Sequence, residues 1–550
     1  MPQAIFPRTV ASTQPLRVAT SISEIMTNTR AFLPSVAILS ALLASCRPAG
    51  PVAPAPTAQT GSVATPRLIP QPESLKLEGG DAFMLTDSVS IIADAGNADV
   101  SRISMQLASL LRASTGFSVP IAGSATGRTI ALRLASDPSL GAEGYQLSVR
   151  RDSVRVTANA PAGLFHGVQT LRQLLPSQIE SDMLLSRMQW SVPAVTISDR
   201  PRFAWRGAML DVARHFFTAD EIYQYIDLLA LYKMNVLHLH LADDQGWRIE
   251  IKSRPNLTAM ASATQVGGGP GGFYTQDEYS QIVKYGADRY VTIVPEIDMP
   301  GHTNAALIGY PELSCSRRAP APYTRTEVGW STFCANNEGT YALIDDVVRE
   351  IAAITPGQYF HMGGDENPIL SKEDYKKFVE RTQEIVAKHG KLMIGWEEIA
   401  HATLIPTSIA QVWRADSALA AAQFGGAKLL MSPASRTYFD MKYDDNTELG
   451  LKWAGLVPVR TAYDWDPATF FKGVVESNIV GVEAPIWSET VRNITAVQYL
   501  ALPRLPALAE VGWSPQSIRS WDSFSTRVAS HASRWNLLGL NYYRSPQIPW

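Results

Sequence analysis

Short apolar runs recur along the chain from residue 206 onward, and each run ends in polar or aromatic residues. In the segments between the runs, apolar residues recur at helical spacing, so the pattern predicts strands alternating with helices. Eight such runs favour a (β/α)8 (TIM) barrel, an α/β fold whose active site lies where the strands end. A doubly wound sheet is the alternative, disfavoured by the count and by the lack of a Gly-rich phosphate loop. The runs cover 208–211, 236–244, 292–299, 359–366, 392–397, 409–414, 428–432 and 479–489.

Residues 67–198 have a different pattern, in which short strand-like pieces alternate with helical spacing at 101–114 and 163–175. This segment predicts a small α+β domain in front of a catalytic barrel at 199–550. It contains no clustered acids and no His/Cys set, so we assign it no chemistry.

The N-terminal segment 1–46 predicts export. A basic start at Met26 and Arg30, an apolar stretch at 31–44 and the pair Ser45-Cys46 resemble a bacterial lipoprotein signal, too short for a permanent membrane helix. We expect a lipid anchor on Cys46, with a cleaved signal and a chance cysteine as the alternative. Residues 47–66, rich in Pro and Ala, predict a flexible tether. These features predict a periplasmic or outer-membrane lipoprotein of the bacterial cell envelope. The sequence leaves open whether translation starts at Met1 or Met26.

The net charge and the cysteines of the chain bear on what it binds and on the compartment in which it works. The chain has 550 residues, 46% of them hydrophobic, and a formal net charge of -3. This slightly negative net charge does not suggest the basic patch or stripe that a nucleic-acid-binding protein needs. Besides Cys46 the cysteines are Cys315 and Cys334. An exported chain meets an oxidising compartment, so a disulfide between them is the leading interpretation and two free thiols are the alternative.

Two adjacent carboxylates, Asp365 and Glu366, end the fourth run. Neighbouring side chains of a regular strand point to opposite faces, so both can serve one pocket only if the chain is turning. Gly363 and Gly364 allow that turn. One acid then holds the other protonated, which is the pairing that glycosidic bond cleavage requires. Taken alone, the pair is more typical of a solvated surface turn, and the pattern of strands around it reverses that interpretation.

The other strand ends bring further polar groups and flat rings to the same predicted rim. Acids and Arg suit sugar hydroxyls, and Trp suits the apolar face of a sugar ring. Their convergence predicts a monosaccharide pocket. The residues are Asp211, Arg214, His215, Asp243, Asp244, Trp247, Glu296, Asp298, His302, Trp396, Glu397, Glu398, Trp413, Tyr438, Asp440, Trp487, Ser488 and Glu489.

Several long motifs carry a resemblance to a known family. The sequence 361–366 (HMGGDE), with 205–207 (WRG), 211–216 (DVARHF), 238–247 (HLHLADDQGW) and 295–302 (PEIDMPGH), resembles family 20 of the glycoside hydrolases. These are exo-acting β-N-acetylhexosaminidases that need no cofactor. The similarity runs from the first folded unit to the C-terminus, so it implies an oligosaccharide or glycoconjugate substrate with a terminal N-acetylhexosamine.

The resemblance also implies a mechanism. Glu366 would protonate the leaving oxygen and later activate water. The substrate's own 2-acetamido carbonyl would attack the anomeric carbon, giving an oxazolinium ion and overall retention. Asp365 would orient the acetamido N–H, and Tyr438 would donate to the acetamido oxygen.

The remaining roles implied by the resemblance concern the sugar and the support of the acid. Arg206 would hold ring hydroxyls, Glu489 the 4-hydroxyl and Asp440 the 6-hydroxyl. Asp243 and His302 would form a dyad behind Glu366, with Asp298 in the same layer toward Asp365. The aromatic walls would be Trp396, Trp413 and Trp487, with Trp453 at the mouth.

A metal site built from His238, His240 and Asp243 is disfavoured, because strand alternation places Asp243 on the face opposite the two histidines. We interpret both histidines as structural. Two other functions stay open: a related hydrolase releasing a disaccharide, and a non-enzymatic glycan-binding lipoprotein. The sequence leaves the gluco or galacto epimer, the natural glycan, the oligomeric state and the membrane leaflet open.

Overall fold

The computed structural model describes residues 65–124, 127–414 and 426–550. The predicted export signal, Cys46 and nearly all of the predicted tether lie outside these residues. Within them, no helix is both long enough and apolar enough to cross a membrane.

A seven-stranded mixed sheet forms the first domain, in the order β1-β9-β6-β7-β5-β3-β4, and a separate pair joins β2 to β8. Two helices, α1 (Ala98–Thr115) and α2 (Pro161–Leu174), pack together and against the sheet. The strands are β1 (Ser74–Leu77), β2 (Phe83–Leu85), β3 (Ser90–Ile92), β4 (Ile121–Ala122), β5 (Thr129–Leu134), β6 (Tyr145–Arg150), β7 (Ser153–Ala158), β8 (Trp190–Val192) and β9 (Val195–Asp199).

Eight parallel strands close into a barrel in the order β10-β11-β14-β15-β16-β17-β18-β19. The predicted α/β barrel and the α+β domain before it are therefore confirmed. The barrel strands are β10 (Trp205–Asp211), β11 (Val236–His240), β14 (Thr292–Glu296), β15 (Tyr359–His361), β16 (Leu392–Trp396), β17 (Ile409–Val412), β18 (Lys428–Met431) and β19 (Ile479–Ile486). A small hairpin, β12 (Ala242–Asp243) with β13 (Gly246–Trp247), follows β11.

Helices surround the barrel, and three of them begin at a Ser or Thr that caps the helix. Thr218 and Thr275 form capping boxes with Glu221 and Glu278, and Ser371 caps its helix by accepting from Asp374. The helices are α3 (Ala219–Leu231), α4 (Asn256–Ala259), α5 (Gln276–Ala287), α6 (Asn304–Gly309), α7 (Glu338–Ile354), α8 (Lys372–Lys388), α9 (Ala434–Thr437), α10 (Val459–Tyr463), α11 (Ile494–Ala501), α12 (Arg504–Trp513) and α13 (Trp521–Leu537).

A disulfide joins Cys315 to Cys334, as the sequence predicts, and closes a long loop between β14 and α7. Backbone bonds tie the end of this loop to the barrel rim: Phe333 N–H donates to Pro300 O, and Cys334 N–H donates to Leu313 O. The loop is thereby held beside the ends of the strands.

Candidate active site

A cavity of about 360 Å³ opens where the barrel strands end. Asp365 and Glu366, which follow β15, line it. The other predicted site residues on its wall are Trp413, Tyr438, Trp453, Trp487 and Glu489. Arg214, which the sequence places among the rim residues, lines the cavity too. Further lining residues that the sequence analysis did not name for the pocket are Thr326, Val328, Arg414, Leu451 and Thr490.

The turn that carries the acid pair is built by glycine. β15 ends at His361, and the backbone then turns through Gly363 (φ 69°) and Gly364 (φ 104°). A Cβ on Gly363 would lie 1.8 Å from Asp298 Oδ1, so only glycine fits there. Glu366 itself has a left-handed φ of 47°, a conformation that costs a non-glycine residue about 1–3 kcal/mol and is concentrated at functional sites.

The electrostatic surroundings of Glu366 favour its protonated form. Burial raises the pKa of Glu366, and the neighbouring charge of Asp365 raises it further, against lowering contributions from His302, Arg414 and Arg214. Asp365 is buried beside it. The pair therefore offers a proton donor next to a second carboxyl group, as general acid catalysis requires.

A histidine lies directly behind the pair. His302 Nε2 is 3.8 Å from Asp365 Oδ2 and 3.9 Å from Glu366 Oε2. Its other ring nitrogen, Nδ1, is 3.3 Å from Asp243 Oδ1. Burial lowers the pKa of His302, but Asp243, Asp298 and Asp365 together raise it well above its ordinary value. The structure thus brings Asp243 and His302 together behind the acid pair.

Asp298 lies under the turn. Its Oδ1 accepts from Gly364 N–H at 3.1 Å. Burial raises the pKa of Asp298 well above its ordinary range, with a further contribution from the charge of Asp365. The structure therefore places Asp298 next to Asp365, in the layer that the sequence predicts.

Aromatic rings enclose the opposite side of the cavity. Trp413 and Tyr438 lie parallel, with centroids 6.2 Å apart and planes 9° apart. Trp453 stands edge-on to both rings and is 55% exposed. The ring centroid of Trp487 lies 6.4 Å from that of Tyr438. The fully buried Trp396 has its ring centroid 5.6 Å from that of Trp487. Flat surfaces of this kind suit the apolar faces of a sugar and a methyl group.

Two acidic side chains lie near one another close to the end of β19: Glu489 lines the cavity, and Asp440 is buried near enough to interact with its charge. Both Asp440 oxygens and Glu489 Oε2 lack a hydrogen-bond partner among the described residues. Burial raises the pKa of each group; the charge of Glu489 raises that of Asp440 further, whereas Arg214 lowers that of Glu489. Unpaired buried oxygens are costly, and sugar hydroxyls could satisfy them.

The structure corrects the assignment of Arg206 to the sugar. Arg206 lies at the start of β10, the opposite end from the cavity. Its guanidinium contacts Glu143 Oε1 at 2.6 Å and donates to Phe203 O and Lys233 O. It therefore joins the first domain to the barrel.

Arg214 is the arginine that lines the cavity. It follows the carboxyl end of β10, contacts Asp243 Oδ2 at 2.7 Å and lies over the ring of Trp487. Its position after a strand end predicts it for the rim, since barrel sites form there, but the resemblance assigned the ring hydroxyls to Arg206.

The structure also corrects the placement of Asp243 on the face opposite His238 and His240. The chain leaves the regular strand after His240 and turns into the β12–β13 hairpin, so alternation no longer applies. His240 Nε2 is 2.9 Å from Asp243 Oδ2. Groups of His and acid side chains close enough for a metal do occur here, including His238, Glu296 and His361. Their ring nitrogens and carboxylate oxygens contact one another.

A parallel barrel with an adjacent acid pair and aromatic walls at its carboxyl-terminal rim defines a glycoside-cleaving enzyme. Comparison with known proteins gives the family. The model of the glycosyl hydrolase family 20 catalytic domain matches residues 203–516, and that of family 20 domain 2 matches residues 65–200. The chain belongs to glycosyl hydrolase family 20.

Relatives agree over most of the chain. A β-N-acetylhexosaminidase of Cellulomonas fimi is 43% identical over 489 residues, covering 88% of this chain and 97% of the relative. The structure of Streptomyces plicatus N-acetyl-β-hexosaminidase in complex with Thio-NAglucal is 48% identical, with a TM-score of 0.85, covering 88% and 98%. An exo-β-N-acetylglucosaminidase of Vibrio harveyi in complex with N-acetylglucosamine is 29% identical, with a TM-score of 0.75, covering 89% and 81%.

Proposed function

We propose that the enzyme is an exo-acting β-N-acetylhexosaminidase, which removes terminal non-reducing β-linked N-acetylglucosamine or N-acetylgalactosamine with retention. The observation that carries this proposal is the acid pair: Asp365 and Glu366 lie on one turn and approach the same ring nitrogen of His302. Tyr438 and three tryptophans, Trp413, Trp453 and Trp487, line the same cavity as the pair. Relatives named for the same activity support it.

In the first step the acetamido carbonyl oxygen of the substrate attacks the anomeric carbon. The glycosidic C–O bond breaks, and the proton of Glu366 moves to the leaving oxygen. Asp365 accepts from the acetamido N–H and balances the charge of the oxazolinium ion. Tyr438 O–H donates to the carbonyl oxygen, so the amide is held as an intramolecular nucleophile of high effective concentration.

In the second step the Glu366 carboxylate takes a proton from water, which attacks the anomeric carbon. The bond from that carbon to the acetamido oxygen breaks and the neutral amide is restored. Two inversions give net retention. Glu366 ends the cycle protonated again.

Release of a single sugar is favoured over release of a disaccharide by the end of the cavity near β19. Asp440 and Glu489 supply buried oxygens without partners among the described residues, and Arg214 lies beside them on the wall. These groups suit the hydroxyls of one terminal ring. Trp453, which is exposed, lies at the mouth.

A chromogenic assay tests the proposal. We expect release of nitrophenol from the β-N-acetylglucosaminide or the β-N-acetylgalactosaminide, with slower release from the β-chitobioside. Faster release from the chitobioside would instead support the disaccharide-releasing alternative. Absence of turnover on all three, with binding retained, would support a glycan-binding protein.

We also propose that the enzyme is an exported lipoprotein anchored through Cys46. The sequence 26–46 supports this, and the Cys315–Cys334 disulfide suits an oxidising compartment. In a bacterial host, activity of the full chain should sediment with membranes. Cys46→Ala should move it to the soluble fraction, and equal sedimentation of both proteins would contradict the anchor.

A further inference from the structure

A row of alternating acids and imidazoles lies under the acid pair. Glu296 Oε2 is 2.5 Å from His240 Nδ1, and His240 Nε2 is 2.9 Å from Asp243 Oδ2. Asp243 Oδ1 faces His302 Nδ1 at 3.3 Å. All four residues are at most 2% exposed, so their contacts are shielded from water and electrostatically strong.

A doubly protonated His240 satisfies the carboxylate oxygen that lies at each of its ring nitrogens, and Arg214 Nη1 lies farther from Nε2, at 3.4 Å. The pKa of the ring agrees with this. Burial lowers the pKa of His240, but Glu296 and the hydrogen bond to Asp243 hold it well above its ordinary value, which favours the protonated ring. Despite burial, the pKa of Glu296 is held well below its ordinary value by His240, His361 and His238. The pKa of Asp243 is likewise lowered despite burial, chiefly by Arg214 and His302, with a further contribution from the hydrogen bond to His240.

The two oxygens of Asp243 are thereby divided between two tasks. Oδ2 receives His240 and the guanidinium of Arg214, at 2.9 and 2.7 Å. Oδ1 accepts from Asp244 N–H and also faces His302 Nδ1. A carboxylate held at both oxygens cannot rotate, so the His302 ring stays oriented and its Nε2 stays directed at Asp365 and Glu366.

We propose that His240, held from behind by Glu296, is a positioning residue for the reaction. It fixes Asp243 and through it His302, and so determines how well Glu366 delivers its proton. This inference rests on the proposed hexosaminidase activity. It assigns a kinetic role to a strand residue that is not in contact with the cavity.

The strand supplies a matched control. His238 lies two residues earlier on β11, on the same face and equally buried, and it also contacts Glu296, at 3.0 Å. Its other ring nitrogen contacts Glu483 rather than Asp243. Around Glu296 the remaining neighbours are His361 from β15 and Trp396 from β16. A general effect of disturbing the barrel interior should therefore appear in both histidine variants.

The experiment compares His240→Asn with His238→Asn. Asn at 240 keeps a donor near the Nδ1 position but loses the one toward Asp243. We expect kcat to fall at least about tenfold, part of the roughly 10²–10⁴-fold that general acid catalysis contributes, with KM changed less than about twofold. The loss should be larger for a methyl aglycone than for dinitrophenol, which departs without a proton. His238→Asn should keep kcat within about twofold.

His240→Gln serves as the rescue variant, because its amide lies near the Nε2 position and can still donate to Asp243. We expect it to recover much of the kcat lost in His240→Asn. Equal kcat losses in the two Asn variants, or a change in KM alone, would overturn the proposal.

A second pair keeps the test usable if His240→Asn does not fold. Glu296→Gln can still accept from Trp396 but turns its amide toward His240, which must then give up its Nδ1 proton. It should lower kcat several-fold, whereas Glu483→Gln, equally buried in the same barrel, should not. Equal kcat in both would overturn the proposal. An inactive wild-type enzyme would refute the hexosaminidase activity instead, so the two failures are distinguishable.

Discussion

Glu366 is placed to act as the acid because three physical conditions meet at one residue. It is partly buried, it neighbours Asp365, and its backbone is held in a left-handed conformation that directs the side chain into the cavity rim. Burial and a like charge both favour its neutral form. The account therefore assigns proton delivery to Glu366 and charge balance to Asp365.

Glu366→Gln removes the proton but keeps the shape of the side chain. We expect kcat/KM, which reports the first step, to fall by about 10²–10⁴-fold for substrates with poor leaving groups. The loss should be much smaller for a dinitrophenyl glycoside, whose leaving group needs no proton. Initial rates across a leaving-group series measure this, and a uniform loss across the series would exclude Glu366 as the acid.

Asp365→Asn should behave differently, because Asp365 acts on the acetamido group rather than on the leaving oxygen. We expect kcat to fall about 10²–10³-fold, as when one electrostatic stabilising group is removed. The fall should be similar for good and poor leaving groups. Unchanged turnover on the N-acetylglucosaminide would show that the acetamido group needs no such partner.

The pH profile follows from the raised pKa of Glu366. The first step needs its protonated form, so kcat/KM should decline as pH rises through a pKa above the ordinary 4.5. Asp365→Asn removes the neighbouring negative charge and should move this alkaline limb to lower pH. A limb that stays in place in that variant would show that Asp365 does not raise the pKa of Glu366.

Individual residues show where the sequence suffices. The pair Asp365-Glu366 and its glycines could be predicted, because adjacent acids can share a pocket only at a turn. The choice between Arg206 and Arg214 required knowing where β10 starts and ends. The contact between His240 and Asp243 required the hairpin after β11, which strand alternation alone does not show.

At the scale of elements, the order of strands was predictable and their ends were not. The fourth apolar run extends to residue 366, but β15 ends at His361 because Gly363 and Gly364 adopt left-handed φ values. Apolar runs measure burial rather than regular backbone conformation. The rim segments that carry the chemistry are buried, so they read as strand.

The disulfide loop is an element with a direct connection to the cavity. Thr326 and Val328 lie within the loop closed by Cys315 and Cys334, and both line the cavity. Ser331, also in this loop, accepts from Thr303 N–H at 2.9 Å. The disulfide is therefore expected to hold the wall on the side of the leaving group.

Replacing both cysteines by serine tests this expectation. The 19-residue separation of the two cysteines corresponds to about 3 kcal/mol of unfolded-state entropy. We expect a loss of that order in the free energy of unfolding, together with a higher KM for a chitobiose substrate. KM for a small aryl glycoside should change less, and equal KM changes for both substrates would contradict a role on the leaving-group side.

At the scale of the whole molecule, Arg206 links the two domains. Its buried guanidinium contacts Glu143 from the first domain, and its Cζ lies 4.9 Å from the centre of the Trp513 ring. Burial would raise the pKa of Glu143, yet Arg206 and His166 hold it well below its ordinary value. The stability from this pair is therefore present above the unfolded pKa of Glu143 and lost as pH falls through the lowered one.

Arg206→Met should destabilise the enzyme by about 3–5 kcal/mol at neutral pH, because it removes the guanidinium from a mostly buried carboxylate and leaves it only His166 and Asn235 as side-chain partners. KM should stay unchanged, since Arg206 lies at the end of the barrel opposite the cavity. Denaturant unfolding and steady-state kinetics measure the two effects. The double variant Arg206→Met/Glu143→Met should recover part of the stability, and a raised KM in the single variant would return Arg206 to the sugar site.

The most direct test of the account compares two substrates that differ only at carbon 2. The account predicts rapid hydrolysis of nitrophenyl β-N-acetylglucosaminide and almost none of nitrophenyl β-glucoside, because the second lacks the amide that attacks the anomeric carbon. Comparable kcat/KM values for the two would contradict it.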